Sequence, residues 1–276
     1  GCEAVCQKLM KKPVTISDGS AALTGLLLAL NLPATLPLWK AAVGCIFAIA
    51  VVKQLFGGLG CNFANPAITG RVFLLLSFAG DMTTWVKPFY YHGLSIGNQL
   101  SSSAGSLDLD AVTSATPLVT GTESLSNLFL GNVGGCIGET SALALLLGGL
   151  FLIFTRVISP STPIAYLGSL GILTFFHALA TGGSLTEVPY ALLSGGVMIG
   201  AFFMATDYVT TPITTKGKWI FGIGCGILTF VIREFASMPE GCSFSILLMN
   251  LLTPYIDKFT MTKPLGAKPI KQKEEA

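Results

Sequence analysis

Charge is scarce in this chain. Of 276 residues, 16 are Lys or Arg and 14 are Asp or Glu, 11% in all, where soluble domains carry about a quarter. With 51% hydrophobic residues and a mean hydropathy of +0.71, that shortfall excludes an ordinary water-facing globular surface and makes lipid the solvent for much of the molecule. Histidine is rarer still, with only His92 and His177. The seven cysteines (Cys2, Cys6, Cys45, Cys61, Cys136, Cys225 and Cys242) contain no C-x-x-C pair, and their odd number excludes a complete disulfide set. Most stand in apolar runs, where a free thiol behaves as a small hydrophobe. There is no His–Cys cluster of zinc-site spacing and no G-x-x-x-x-G-K-S/T phosphate loop. A net charge of +2 argues neither for nor against nucleic acid, and there is no basic stripe except the tail from Lys258 to Lys273.

What is there is apolar sequence in runs. A membrane-crossing helix needs roughly 20 mainly apolar residues. Runs at 19–32, 41–56, 66–80, 139–155, 164–181, 188–206, 218–235 and 242–254 predict about eight spans in one integral membrane domain over 1–276. The 32 Gly and 14 Pro do not speak for disorder in this setting, because neighbouring helices satisfy the backbone groups that these residues free. Pro33 and Pro37 make the exit of the first span irregular, and Pro66 suits a first helical turn. The fold class predicted is therefore all-α, a polytopic transmembrane bundle.

Basic residues in short loops orient such a bundle. With simple alternation, Lys8, Lys11, Lys12, Arg71, Arg156, Lys216, Lys218 and the Lys-rich tail fall on one side. Asp81, Asp108, Asp110, Glu123, Glu187, Glu234 and Glu240 fall on the other, with Lys40, Lys87 and Arg233. This asymmetry predicts both termini in the cytoplasm and segment 81–138 outside. A weak internal echo links N-P-A-I-T-G-R-V-F at 65–73 with T-P-I-T-T-K-G-K-W-I-F at 211–221; membrane carriers contain repeats whose broken helices build a central site. Chance similarity accounts for the echo equally well.

Segment 81–138 is too polar for lipid and too long for a plain connection. The run S-S-S-A-G-S at 101–106 reads as spacer. Asp110 to Thr116, D-A-V-T-S-A-T, is different: acid, hydroxyls and apolar residues alternate, and Pro117 stiffens the end. A Thr hydroxyl can be esterified through phosphate, and an exposed segment admits a modifying enzyme. From composition alone, an ordinary polar loop is the preferred reading of the segment.

The motif D-x-x-T-S-A-T resembles the flavinylation sequence of a family of membrane subunits. That family comprises the D subunit of the Rnf complex and the B subunit of the sodium-pumping NADH:quinone reductase. Further stretches fit the same family: K-K-P-V-T-I-S-D-G-S-A at 11–21, L-L-L-A-L-N-L-P at 26–33, G-G-L-G-C-N-F-A-N-P-A at 57–67, G-E-T-S-A-L-A-L-L-L-G-G at 138–149, M-A-T-D-Y-V-T-T-P at 204–212 and P-E-G-C-S-F-S-I-L-L-M-N at 239–250. The resemblance covers nearly the whole chain. It implies FMN joined through its phosphate to Thr116 by an exported flavin transferase, with Asp110, Thr113 and Ser114 completing the motif. It also implies a ten-span fold with internal repeats and broken helices, of which two N-terminal spans are missing here. The function implied is electron transfer within an ion-translocating ferredoxin:NAD+ oxidoreductase of the prokaryotic cytoplasmic membrane, incomplete alone, coupled to Na+ or H+ movement. Partners implied are the other Rnf subunits, especially the FMN-bearing G subunit, and lipid. A quinone-reducing homologue is the alternative within the family; a secondary transporter without redox chemistry is the alternative outside it.

Other residues carry several readings. Arg71, just inside a span, is either interfacial, meeting lipid phosphate, or in contact with a partner or a second, non-covalent flavin, for which the family resemblance suggests riboflavin. Asn65 belongs to the same turn, whose amides could face an anion or a ring carbonyl. Asp207 either caps a turn or offers oxygen to Na+. Glu139 most simply complements a helix dipole, with a tuning role open through its nearness to the flavin segment. His177 is expected as a hydrogen-bonded interior residue and His92 as a solvated one.

Overall fold

A computed structural model describes residues 1–86, 116–120, 123–236 and 240–261. Among the described residues the elements are helical and none is a strand. A short amphipathic helix, α1 (Cys2–Leu9), precedes α2 (Ser20–Leu30). Next comes α3 (Leu38–Ile46), which runs on directly as a π-helical stretch, Phe47–Gln54. Then follow α4 (Pro66–Ser77) and α5 (Ala79–Met82). Beyond the segment left undescribed come α6 (Pro117–Thr120), α7 (Leu125–Leu130), α8 (Ala142–Phe154) and α9 (Ser161–Thr181). The last group is α10 (Glu187–Leu193), α11 (Val197–Ile199) with a π-helical continuation Gly200–Met204, α12 (Thr215–Phe235) and α13 (Cys242–Thr260).

Helix α9 lies most extensively against α12. Gly222 and Gly226, four residues apart on α12, make the close approach possible: a Cβ at 222 would sit 2.7 Å from Thr162 O, and one at 226 would sit 2.8 Å from Tyr166 O. Small residues at this spacing let helix backbones meet where lipid supplies no hydrophobic drive. Tyr166, fully buried, then ties three helices together. Its hydroxyl lies 2.7 Å from Thr229 Oγ1 and 3.4 Å from Ser245 Oγ, and it donates to Cys242 Sγ at 3.2 Å. The apolar core runs from Leu28, Ile68 and Leu74 through Tyr166 and Phe221 to Ile246. Outward faces are apolar too: Phe151 and Phe154 on α8, Ile172 and Phe176 on α9, and Ile223 and Ile227 on α12 are exposed. That pattern suits lipid as the surrounding solvent.

Two helices, α9 and α12, are long and apolar enough to cross a membrane, or three spans if α10 and the 197–204 unit count as one bent by 64°. Helices α2, α4 and α8 are apolar but shorter. The eight apolar runs therefore become helices of unequal length. The first stops at Leu30, short of Pro33, and Pro37 stands at the start of α3; Gly195 (φ +65°) breaks the sixth, and α13 carries Asn250, Thr253, Asp257 and Lys258 in its 19 residues. The two echoing segments do each lead into a capped helix, with Asn65 before α4 and Thr214 before α12.

Candidate functional site

Thr116 lies in the wall of a cavity of about 290 Å³. The expectation of an exposed attachment residue is corrected here: Thr116 is 8% exposed. The physical reason is α6, the single helical turn that follows it. Tyr190 Oη on α10 donates to Pro117 O at 2.6 Å, and Leu118 packs against Gly195 at the α10–α11 break. Trp85, Leu128, Val133 and Leu193 give the cavity apolar walls, and Gly134, Gly135 and Gly195 bring backbone to its surface. Asp110, Thr113 and Ser114, and likewise His92, lie outside the described residues.

The polar end of the cavity is made by Glu139 and Glu240. Glu139 is fixed by the loop between α7 and α8. Gly138 N donates to Leu30 O at 2.7 Å and Ile137 N to Leu32 O at 3.1 Å, clasping the loop onto the end of α2. A Cβ at 138 would stand 2.6 Å from that of Leu30, so glycine permits the clasp. Cys136 N donates to Glu139 Oε1 at 2.9 Å. The sequence predicted a helix dipole partner here; the carboxylate instead folds back on its own loop.

Arg71 is 4% exposed, its side chain turned into the interior. Both terminal nitrogens fork onto the Glu240 carboxylate. Nη1 also donates to Ser243 Oγ at 2.8 Å and to Asn31 Oδ1 at 3.5 Å, and Nη2 to Cys136 Sγ at 3.5 Å. Planar bidentate pairing is the arrangement in which a buried guanidinium recovers most of its lost hydration. Arg71 and Glu240 also line a second cavity of about 310 Å³, which shares Thr83, Trp85 and Glu240 with the first. Arg233, expected on an outer surface, donates from Nε to Glu240 O at 3.1 Å, from Nη1 to Ala191 O at 2.7 Å and from Nη2 to Ser194 O at 3.1 Å.

Asn65 lines neither cavity. Its Oδ1 accepts from the N–H groups of Ala67 (3.0 Å) and Ile68 (3.3 Å), and its Nδ2 donates to Met204 O at 3.5 Å. It thus caps α4 where the π-helical stretch after α11 ends. With its amide turned so that nitrogen meets carbonyl, Asn250 closes this crossing, donating to Thr210 O and accepting from Asn65 N–H, each at 3.1 Å. Asp207 holds a turn: its Oδ2 accepts from Thr210 Oγ1 at 3.0 Å and its Oδ1 from Val209 N at 3.4 Å. Burial pushes its carboxyl above the ordinary value, against the pull of Thr210 and the Val209 and Tyr208 amides. Among the described residues no group of three or more His, Cys, Asp and Glu side chains is placed to hold a metal ion. His177 is a half-exposed side chain rather than an interior one, with Nε2 3.9 Å from a Glu234 oxygen.

Glu240 and Trp85 are site residues that the sequence did not single out. The signal for Glu240 was present: a guanidinium inside an apolar helix calls for an acid, and P-E-G at 239–241 opens an apolar run. For Trp85, at the edge of the polar segment, the sequence carries no comparable signal.

The arrangement is a largely apolar, glycine-floored chamber with an esterifiable hydroxyl in its wall and a buried ionic cluster at one end. The family model described as "NQR2, RnfD, RnfE family" matches residues 1–266. The chain is 48% identical, over 99% of its length and 81% of the relative's, to the D subunit of the Na+-translocating ferredoxin:NAD+ oxidoreductase complex of Acetobacterium woodii. It is 43% identical to the D subunit of the proton-translocating ferredoxin:NAD+ oxidoreductase complex of Clostridium ljungdahlii, over 96% of this chain and 80% of the relative. It is 42% identical to the D subunit of the ion-translocating oxidoreductase complex of Rhodobacter capsulatus, over 87% and 72%.

Proposed function

Because this chain belongs to the NQR2, RnfD, RnfE family, we propose that it is the D-type membrane subunit of an ion-translocating ferredoxin:NAD+ oxidoreductase. In this reading it carries FMN as a phosphoester on Thr116. It has about eight spans, both termini cytoplasmic and Thr116 on the outer side. It receives electrons from a neighbouring FMN-bearing subunit, and with the other membrane subunits it couples their flow to Na+ or H+ translocation. The names of the relatives support this reading over a quinone-reducing homologue and over a redox-free transporter.

One observation supports the cofactor assignment: Thr116 is a wall residue of a largely apolar chamber. The chamber has Trp85 and aliphatic side chains on its sides and glycine backbone at its floor, the lining expected of a cofactor pocket. FMN, when bound, supplies the electron-carrying chemistry. The chain's own residues do the rest. Thr116 Oγ1 fixes the phosphate end, so the carrier cannot dissociate. The apolar walls exclude water, and the Arg71–Glu240 pair holds a fixed ionic end at which excess charge is met. Since Thr116 is shut in, flavin attachment has to precede closure of α6 onto α10.

Denaturing gel fluorescence of protein co-produced with a competent flavin transferase tests the assignment. The wild-type band should glow under ultraviolet light, Thr116→Ser should retain part of the signal and Thr116→Ala should lose all of it. Mass spectrometry of the peptide from Asp110 to Gly121 should then show an FMN adduct less water. An unmodified peptide would remove the assignment.

A further inference from the structure

Beside the Arg71–Glu240 pair stands a second carboxylate. Glu139 is 8% exposed, its Oε1 is occupied by Cys136 N–H, and its Oε2 has no hydrogen-bond partner among the described residues. That free oxygen points at the ionic cluster: a Cβ placed on Gly196 would lie 3.0 Å from Glu139 Oε2 and 2.7 Å from Glu240 Oε1. Among the described residues, every charged or titratable group facing it is committed elsewhere. From α4, Arg71 forks onto Glu240; from α12, Arg233 gives all three of its nitrogens to backbone carbonyls. From the start of α13, Cys242 Sγ donates to Gly196 O at 3.3 Å and Ser243 accepts from Arg71. In the Glu139 loop itself, Cys136 Sγ faces Arg71 Nη2.

A bare carboxylate oxygen, dry and without a donor beside a second carboxylate, is strongly disfavoured. Either a metal cation or a proton relieves it. Hard cations gather about six or more oxygens, and here the second carboxylate is already taken up by a guanidinium. A proton needs only Oε2 itself and an acceptor facing it. We propose that Glu139 is a proton-carrying site of the Thr116 cavity: at neutral pH its Oε2 bears an exchangeable proton, facing the Glu240 carboxyl onto which Arg71 forks.

The chemistry is acid dissociation. The Oε2–H bond breaks, the electron pair stays on the carboxylate, and the proton leaves through the cavity that Glu139 lines to a water molecule, or returns by the same route. Negative charge arriving in the cavity strengthens the hold on this proton, and its departure weakens it. The proposal rests on the preceding functional reading only for what brings that charge.

Infrared difference spectroscopy of the purified complex carrying Thr116→Ala, titrated with pH in light and heavy water, tests it without covalent flavin. The expected result is a protonated-carboxyl stretch at neutral pH that shifts in heavy water, is unmoved when K+ is exchanged for Na+, and is lost by one carboxyl equivalent on adding Glu139→Gln. A spectrum without that stretch, a stretch that survives Glu139→Gln, or one abolished by Na+ at constant pH would overturn the proposal. Should the double variant fail to assemble, isotope-labelled glutamate in the Thr116→Ala complex decides: a stretch that does not move with the label is equally fatal. A dark gel band would sink the flavin assignment and leave this site standing; a missing stretch would do the reverse.

Discussion

Among the described residues, Lys53 and Arg71 are buried cations that each pair with a glutamate, and the two pairs differ in what surrounds them. At the N-terminal end, Lys53 Nζ lies 2.8 Å from Glu3 Oε1 and 2.5 Å from Ser20 Oγ, and Gln54 Nε2 donates to Glu3 Oε1 at 2.8 Å. One cation meets one carboxylate, and neither lines the cavities described above. At the other site, Arg71 meets Glu240 while Glu139 waits beside them, and both acids face a chamber. Glu3 also keeps one oxygen without a partner among the described residues, but its charge is matched. Burial and pairing alone therefore do not mark a working site. A carboxylate oxygen left without a partner at the wall of an open space does.

The contrast can be broken by removing each cation. Arg71→Ala should leave two acids in the interior and cost about 3–5 kcal/mol, read as loss of thermal stability in detergent and of assembled complex. Lys53→Ala should cost less, about 1–3 kcal/mol, because α1 is a terminal helix that can peel away and hydrate Glu3. Equal losses would erase the distinction. Replacing both partners, Arg71→Met with Glu240→Gln, should cost less than Arg71→Ala alone, since no unpaired charge remains from the pair.

Gly196→Ala sharpens the same comparison more gently. Its Cβ would crowd the Glu139 and Glu240 oxygens, and overpacking of this kind costs about 1–3 kcal/mol; no comparable effect is expected for Gly25→Ala, which has open space. Glu139→Gln keeps the shape of a neutral acid and should change the melting temperature at neutral pH little, by less than the equivalent of about 1 kcal/mol.

The smallest effect belongs to Asp18. Its carboxylate accepts from Ser20 N–H at 2.8 Å and Ser20 Oγ at 2.7 Å, and these bonds hold it below the usual carboxylate range. A lowered folded-state value means that its contribution is complete above the ordinary range and disappears as pH falls through the lowered one. Acid melting should therefore shift slightly in Asp18→Asn, while a mildly alkaline melt should not differ in its pH slope.

The class of the fold was legible in the sequence, because apolar runs and missing charge report on solvent rather than on detailed packing. Thr116 stood out through its motif, and Asn65 and Thr214 fall where helix starts belong. The lengths of the helices were not legible: a hydropathy run does not reveal that Gly195 takes a left-handed conformation or that Pro37 restarts the chain. Nor was the partner of Arg71, which lies 169 residues away. Local periodicity says nothing about that distance. Only the rule that an interior cation needs an acid pointed toward Glu240, and several acids could have answered it.

The bend after α10 has a further consequence. A helix that stops inside a bundle leaves carbonyl groups with no turn above them to donate. At Ala191 and Ser194 those donors come from Arg233, a side chain of another helix, whose remaining nitrogen reaches Glu240 O just ahead of α13. Arg233 is thus a borrowed end-piece, shaped like the missing turn, and it splices the interrupted helix to the threshold of the last one. A lysine there would bring the same charge on a single compact head, unable to span both edges of the splice.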